Sequence, residues 1–303
     1  MIMSLLNKIF YKLFGQDIWR IGIASCDLSL VLDGELPKQK VKWLEVNIKS
    51  DYEADPFIFK FSEKYYVAYE DFNYVSGNAK LKCIDLNGDE YPFFDEINKS
   101  TGHKSFPYVF EAEGGLYCMP EEGDRNGVYL YRFNVELNNF EFVREILCDD
   151  MYVDSFIHNV NGIYYLFTST INEPFKQRLF YSDSLLNDFV EHRMSPIAKN
   201  SRVGRNGGGM LCCDDKFFRV SQNCTKTYGG SIVISEVSHL SPDEYKENEF
   251  MEIFPLYPYN NGIHTLSVKD EYIVFDGKIV KYRFSNVFRK LAYKLKISLP
   301  FRN

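Results

Sequence analysis

Four carboxylates recur at matching offsets in the 303-residue sequence: Asp55, Glu70, Glu121 and Asp154. Asp55 and Asp154 each open a stretch that runs through an apolar segment, a polar turn and an aromatic-rich segment. Glu70 and Glu121 each lie 15 residues after the start of such a stretch. If the stretches are repeats around one axis, the four acids face one cavity. Like charges at short range cannot all ionise cheaply, so such a group divides into acids and bases. Glycosyl transfer needs that division, since one carboxylate must take a proton or attack the sugar carbon while another donates to the leaving oxygen. The plainer reading of each acid is a bond to a neighbouring backbone N–H at a strand end.

A second, polar and cationic set comprises Arg202, Arg205, Arg219, Gln222, Tyr228 and His264, with His103 ahead of the second stretch. Arginine forks suit phosphate or carboxylate groups. Arg202 and Arg205 precede Gly207-Gly208-Gly209, where backbone can approach a ligand closely. The alternative for the arginines is ion pairing with the acids, and for each histidine a satisfied structural role. There is no Walker loop, no GxGxxG after a strand, no HExxH and no GxSxG. Asp149-Asp150 and Asp214-Asp215 read as solvated turns, and neither a metal nor a cofactor is expected.

The elements that must position these residues are five repeats, beginning at 55, 106, 154, 208 and 262. A period near 50 residues suits four short strands per repeat, as in a propeller blade. Glu113-Gly114-Gly115 and Asn161-Gly162 supply the positive φ of tight hairpins. The fifth repeat lacks an outer strand, and residues 18–25 can supply it, closing the ring and removing exposed edges. The fold expected is all-β, a five-bladed β-propeller over 18–285, flanked by an amphipathic segment at 1–17 and a basic amphipathic tail at 286–303.

The net charge of -7 and pI near 5.4 argue against nucleic-acid binding, which needs a basic face. The basic residues from Lys278 onward, with no acid among them, form a separate electrostatic object. Residues 5–15 and 286–298 place apolar residues near helical spacing with lysines between them. Packing on the propeller rim and contact with an anionic membrane surface are the two readings of those ends. Seven cysteines without CxxC spacing read as reduced, mostly buried thiols. The first 15 residues make a poor signal peptide and no run spans a membrane, so a cytoplasmic protein, peripheral at the inner membrane face, is expected.

Ala54-Asp55-Pro56-Phe57, Tyr69-Glu70, the stretch from His103 to Tyr108 and Met119-Pro120-Glu121 occur here in order. They are followed by 192–197, 202–206, 219–223, Tyr228-Gly229 and 262–266. Over roughly residues 18 to 285 this ordered set resembles the N-terminal domain of glucosamine inositolphosphorylceramide transferases and bacterial polysaccharide-biosynthesis relatives. The likeness does not include the separate glycosyltransferase domain of the plant proteins. More distantly the chain is similar to the five-bladed glycoside hydrolase families 43 and 32. That resemblance implies base or nucleophile for Asp55, an acid-tuning role for Asp154, and the general acid at Glu121 or Glu70, although Glu121 lies in a different local setting. The function expected is glycosyl transfer, possible for a furanose, in O-antigen or capsule synthesis, from an activated sugar donor to a glycan or lipid-linked acceptor. Asp55 would act on the acceptor, Glu121 on the leaving group, and Arg202, Arg205 and Arg219 on a donor phosphate. The alternatives are a furanosidase-like hydrolase and a non-catalytic glycan-binding module.

Overall fold

The computed structural model describes residues 9–34, 36–37, 40–44, 50–74, 76–284 and 286–287. Five antiparallel sheets are arranged as a β-propeller. Blade I is built from β3 (Tyr52–Phe61), β4 (Lys64–Asn73), β5 (Asn78–Asp85) and β6 (Glu90–Tyr91). Blade II uses β7 (Lys104–Ala112), β8 (Gly115–Glu122), β9 (Val128–Asn134) and β10 (Asn139–Leu147). In blade III, β11 (Tyr152–Val160), β12 (Ile163–Thr170), β13 (Lys176–Ser182) and β14 (Val190–Glu191) run outward, with β15 (Ala198–Lys199) also on β13. Blade IV consists of β16 (Asn206–Cys213), β17 (Lys216–Asn223), β18 (Ser231–Leu240) and β19 (Tyr245–Ile253).

Blade V joins both ends of the chain. Its inner strands are β20 (Leu266–Lys269) and β21 (Tyr272–Tyr282), and its outer strands are β1 (Gly15–Ser25) and β2 (Lys42–Trp43). β1 pairs with β21 without a break from Gly15↔Tyr282 to Ser25↔Tyr272, so the expected N-terminal closing strand is present and starts three residues earlier. One long ladder between the two ends locks the ring and pairs both strands' inner edges.

The strands form because apolar and aromatic residues alternate with polar ones and the turns carry residues that accept positive φ. Glu113, Asn161, Asp214 and Asp215 all adopt left-handed φ in hairpin connections, so Asp214-Asp215 is a turn. Five apolar clusters hold the blades face to face, one at each junction. Tyr66, Leu81 and Phe93 of blade I meet Val109, Tyr129 and Phe140 of blade II, and Ile21 and Val274 of blade V meet Ile58 and Val67 of blade I. The cysteines are all free, and only Cys26, Cys83 and Cys118 are buried, fewer than the composition suggested. The rest lie on outward-facing strand positions or loops.

Residues 9–14 are helical, and a short helix, α1, covers Leu28–Leu32. Residues 1–8 and 288–303, which hold most of the two terminal segments expected from the sequence, lie outside the described residues. No described helix is long and apolar enough to cross a membrane.

Candidate functional site

The inner strands of blades I to IV each break their ladder at one place, between Ala54 and Phe57, Ser105 and Tyr108, Val153 and Phe156, and Asn206 and Met210. At those bulges Asp55, Phe106, Asp154 and Gly208 take φ of 51°, 45°, 50° and 154°. Asp and Gly accept this region readily, whereas a phenylalanine there carries a cost. A bulge re-aims its side chain, and here it gathers one residue per blade at one mouth of the channel. In blade V, Leu266 pairs with Phe275 as Phe57 pairs with Ala68. His264 therefore holds the position of Asp55 and Asp154, two residues beyond the start that the sequence repeat suggested.

Asp55, His264 and Asp276 form the centre of the mouth. His264 Nε2 lies 3.2 Å from Asp55 Oδ1, and its Nδ1 lies 2.6 Å from Asp276 Oδ2. The second contact is a close charge pairing rather than an aligned hydrogen bond. Thr265 Oγ1 donates to Asp55 Oδ1 at 2.8 Å, and Phe106 N–H donates to Oδ2 at 3.3 Å. Burial opposes the charge on His264, but Asp276 and Asp55 overcome it and hold its pKa up at about 10. Burial likewise opposes ionisation of Asp55, and His264, Thr265 and Arg205 reverse the balance, setting it below the ordinary carboxylate range. Asp55 is thus a buried carboxylate held ionised by its partners.

The other acids are driven the opposite way. Burial and Asp154 push Glu121 up to about 8, against the pull of Arg205. Burial and Asp55 raise Glu70 well above its ordinary value. It accepts from Tyr52 Oη and stands 3.4 Å from His103 Nε2. His103 is itself depressed by burial despite Asp55 and Asp124, so near neutral pH this contact joins two uncharged groups. Burial also raises Asp154, although Arg205 Nε donates to its Oδ2 and Gln222 Nε2 does so at 3.1 Å. Tyr228 lies at the rim with 43% of its surface exposed, 5.4 Å from the Arg205 guanidinium and 5.3 Å from the His264 ring.

Asp55, Glu70, Glu121, Asp154, Arg205, Gln222, Tyr228, His103 and His264 therefore share one mouth. Arg202 and Arg219 do not join them. Arg202 pairs outward with Glu249 and Glu252 at 2.9 and 3.0 Å. Arg219 is fully buried against Glu247 at 2.6 Å and the Val203 carbonyl at 3.0 Å. Neither guanidinium can take the expected phosphate without breaking its own pair. The glycine run is not an open ligand loop either. A Cβ on Gly207 would stand 2.6 Å from the His264 carbonyl oxygen, one on Gly208 2.2 Å from that of Leu266, and one on Gly209 2.8 Å from the Tyr108 ring. These glycines let blade IV pass blades V and II.

Asp276 and Thr265 were missed by sequence reasoning. Aligning the fifth repeat on Leu266 instead of Gly262 would have revealed them. Asp276 shares a further role with the named acids, since Asp55 N–H donates to Asp276 Oδ2 at 3.2 Å and Asp154 N–H to Glu121 Oε2 at 3.3 Å. Together with Asp55 and Phe106, these contacts let a carboxylate from one blade secure the bulge of the next. Asp55, His264 and Asp276 place ligand atoms within 4.8 Å of one another, a spacing a cation could use. The protonated imidazole already supplies positive charge there.

A ring of five blades with a divided set of carboxylates at one mouth defines the class of this protein, a propeller with a glycan-type acid–base site. The family model described as "Glucosamine inositolphosphorylceramide transferase 1, N-terminal" matches residues 41–256, and the chain belongs to that family. Glucosamine inositolphosphorylceramide transferase 1 of Arabidopsis thaliana is 30% identical over 215 residues, which cover 67% of this chain and 28% of that protein. Its counterpart from Oryza sativa subsp. japonica is 27% identical over 210 residues, covering 65% and 28%. The match thus spans under a third of these relatives' length. Among solved structures, the catalytic domain of the Coprinopsis cinerea GH62 α-L-arabinofuranosidase is similar with TM-score 0.54 at 10% identity, covering 77% of this chain and 92% of that one. RS223-β-xylosidase gives 0.52 at 13% identity, covering 70% and 80%. Those two likenesses concern the fold.

Proposed function

We propose that the chain is a glycan-acting enzyme that moves a sugar from an activated donor to a glycan or lipid-linked acceptor, in the assembly of a surface polysaccharide such as O-antigen or capsule. The observation that carries the reading is the split at one mouth between Asp55, held ionised, and Glu121, held protonated near neutral pH. Membership in a family described by a transferase favours transfer. In the reaction the acceptor oxygen bonds to the anomeric carbon as that carbon's bond to the donor oxygen breaks. The acceptor's proton passes to Asp55, and Glu121 gives its proton to the departing oxygen, so protons and charge balance. Arg205 is anchored to Asp154 through Nε and presents its remaining N–H groups toward the charge that grows on the leaving group. Product formation from a panel of nucleotide sugars tests the reading. Asp55→Asn and Glu121→Gln should each lower turnover by about 10²–10⁴-fold, and full transfer by Asp55→Asn would overturn it.

The carboxylate contacts to bulge N–H groups favour a second reading, a glycan-binding module in which the acids brace the ring. Glycan binding that survives neutralisation of Asp55, Glu121 and Asp154 together, with no turnover in the wild type, selects that reading. Release of free sugar without any acceptor selects hydrolysis, with water in the acceptor's place.

A further inference from the structure

The two ends of the chain meet beyond the mouth that holds the acids. β1 begins at Gly15 opposite Tyr282, the last residue of β21, and Tyr282 lies six residues, about 20 Å of strand, past Asp276 at the site. Side chains carry the connection as well. Tyr11 Oη donates to Asp17 Oδ1 at 2.7 Å, and Tyr74 Oη donates to the Asp17 carbonyl at 2.8 Å. The Tyr74 ring packs 5.7 Å from that of Tyr52, whose hydroxyl donates to Glu70 at 3.4 Å. The terminal helix and strand ends are thus fixed beside the mouth.

What they present is apolar and aromatic. Ile9, Phe10, Leu13, Tyr282 and Phe284 are exposed, Phe10 at 50% and Phe284 at 81%. They are not scattered, because Phe10 packs on Phe14 at 4.8 Å and on Tyr282 at 5.4 Å, and Phe14 packs on Phe284 at 5.2 Å. A contiguous apolar patch of this kind marks an interaction surface. Lys281 and Arg283 are exposed within it, and no acidic residue occurs in 9–14 or 281–284. Asp17, the nearest acid in the chain, is engaged by Tyr11 and by Lys278 at 3.6 Å. Aromatic rings mixed with basic side chains on one face match a bilayer interface with anionic headgroups, whereas a protein partner's apolar surface would gain nothing from the two cations.

We infer that the face formed by residues 9–14 and 281–284 docks the protein on an anionic lipid surface and turns the Asp55–Glu121 mouth toward it. The orientation gives a lipid-linked acceptor access without leaving the bilayer, and this last step alone rests on the transfer reading. Co-sedimentation of the full chain with phosphatidylcholine vesicles, with and without one third phosphatidylglycerol, tests the surface. Binding is expected on the anionic vesicles, falling with salt. Phe10→Ser combined with Phe284→Ser should lower it by about tenfold or more, and Lys281→Gln combined with Arg283→Gln by a similar factor. All four side chains are exposed, so circular dichroism should report unchanged folds. Absence of binding to the anionic vesicles, or binding untouched by the phenylalanine pair, would overturn the inference. Vesicle binding is read without any sugar, so it stands apart from the transfer reaction, which a soluble acceptor reports.

Discussion

Replacing Glu121 by Gln should stabilise the protein at alkaline pH while it removes turnover. The carboxyl stands at about 8 in the fold against an ordinary 4.5. Ionising it in the native state therefore costs on the order of 4–5 kcal/mol more than in the unfolded chain. The sign follows from proton binding. Between pH 4.5 and about 8 the native state holds a proton that the unfolded state has lost, so stability falls as pH rises through that window. Glutamine mimics the protonated acid and keeps an oxygen for the Asp154 N–H. Glu121 retains some contact with solvent, which screens the charge, so about half the full value, roughly 2 kcal/mol, is expected at pH 9. That corresponds to a melting temperature higher by about 4 °C in a domain of this size. His264 adds its own decline as pH rises from 6.5 through about 10, but it does so equally in both proteins. Thermal melts of wild type and variant at pH 5.5, 7 and 9 isolate the Glu121 contribution as their difference. Parallel curves, or a variant that melts lower at pH 9, would refute a protonated Glu121 and the acid role built on it.

His264→Asn should raise the pKa of Asp55, because the largest stabiliser of its charge is removed, and the acid limb of the pH–rate profile should move to higher pH. An unmoved limb would show that Asp55 is not the group titrating there. Arg219→Met leaves Glu247 buried without its partner and should cost about 3–5 kcal/mol in denaturant unfolding. Residual enzyme should keep the wild-type KM for donor, whereas Arg205→Met should raise it; the reverse pattern would return Arg219 to the site. Gly229→Ala places a Cβ 2.6 Å from His264 Cβ at a φ of +57°. It should cost about 1–2 kcal/mol and displace the Tyr228 loop, seen as a raised KM with kcat less affected.

The propeller was legible because each blade is a local object. Hairpins are written in alternating apolar residues and in turn residues such as Asn161-Gly162, and a period near 50 residues repeats them often enough to count. Closure by the N-terminal strand was legible for the same reason, since the fifth repeat runs out of outer strands. The equivalence of Asp55 and Asp154 survives intact, because both blades carry the same two-residue bulge.

What escaped is what depends on direction and on register across blades. Arg202, Arg205 and Arg219 look alike in sequence, yet strand alternation and the outer strands of blade IV send two of them to Glu249, Glu252 and Glu247 and only one to the mouth. The blade IV bulge is one residue longer than the others, and the fifth repeat begins with extra residues, so counting from Gly262 placed His264 off its position and hid Asp276. Sequence by itself determined the number of blades, their order and the acids that begin and end the inner hairpins, all of which follow from short-range pattern. Only the tertiary structure decided that Asp55 stays ionised while Glu121 stays protonated. Those states are set by burial and by charges brought from different blades, more than 200 residues apart in the pairing of Asp55 with Thr265, and a repeat period carries no information about such distances.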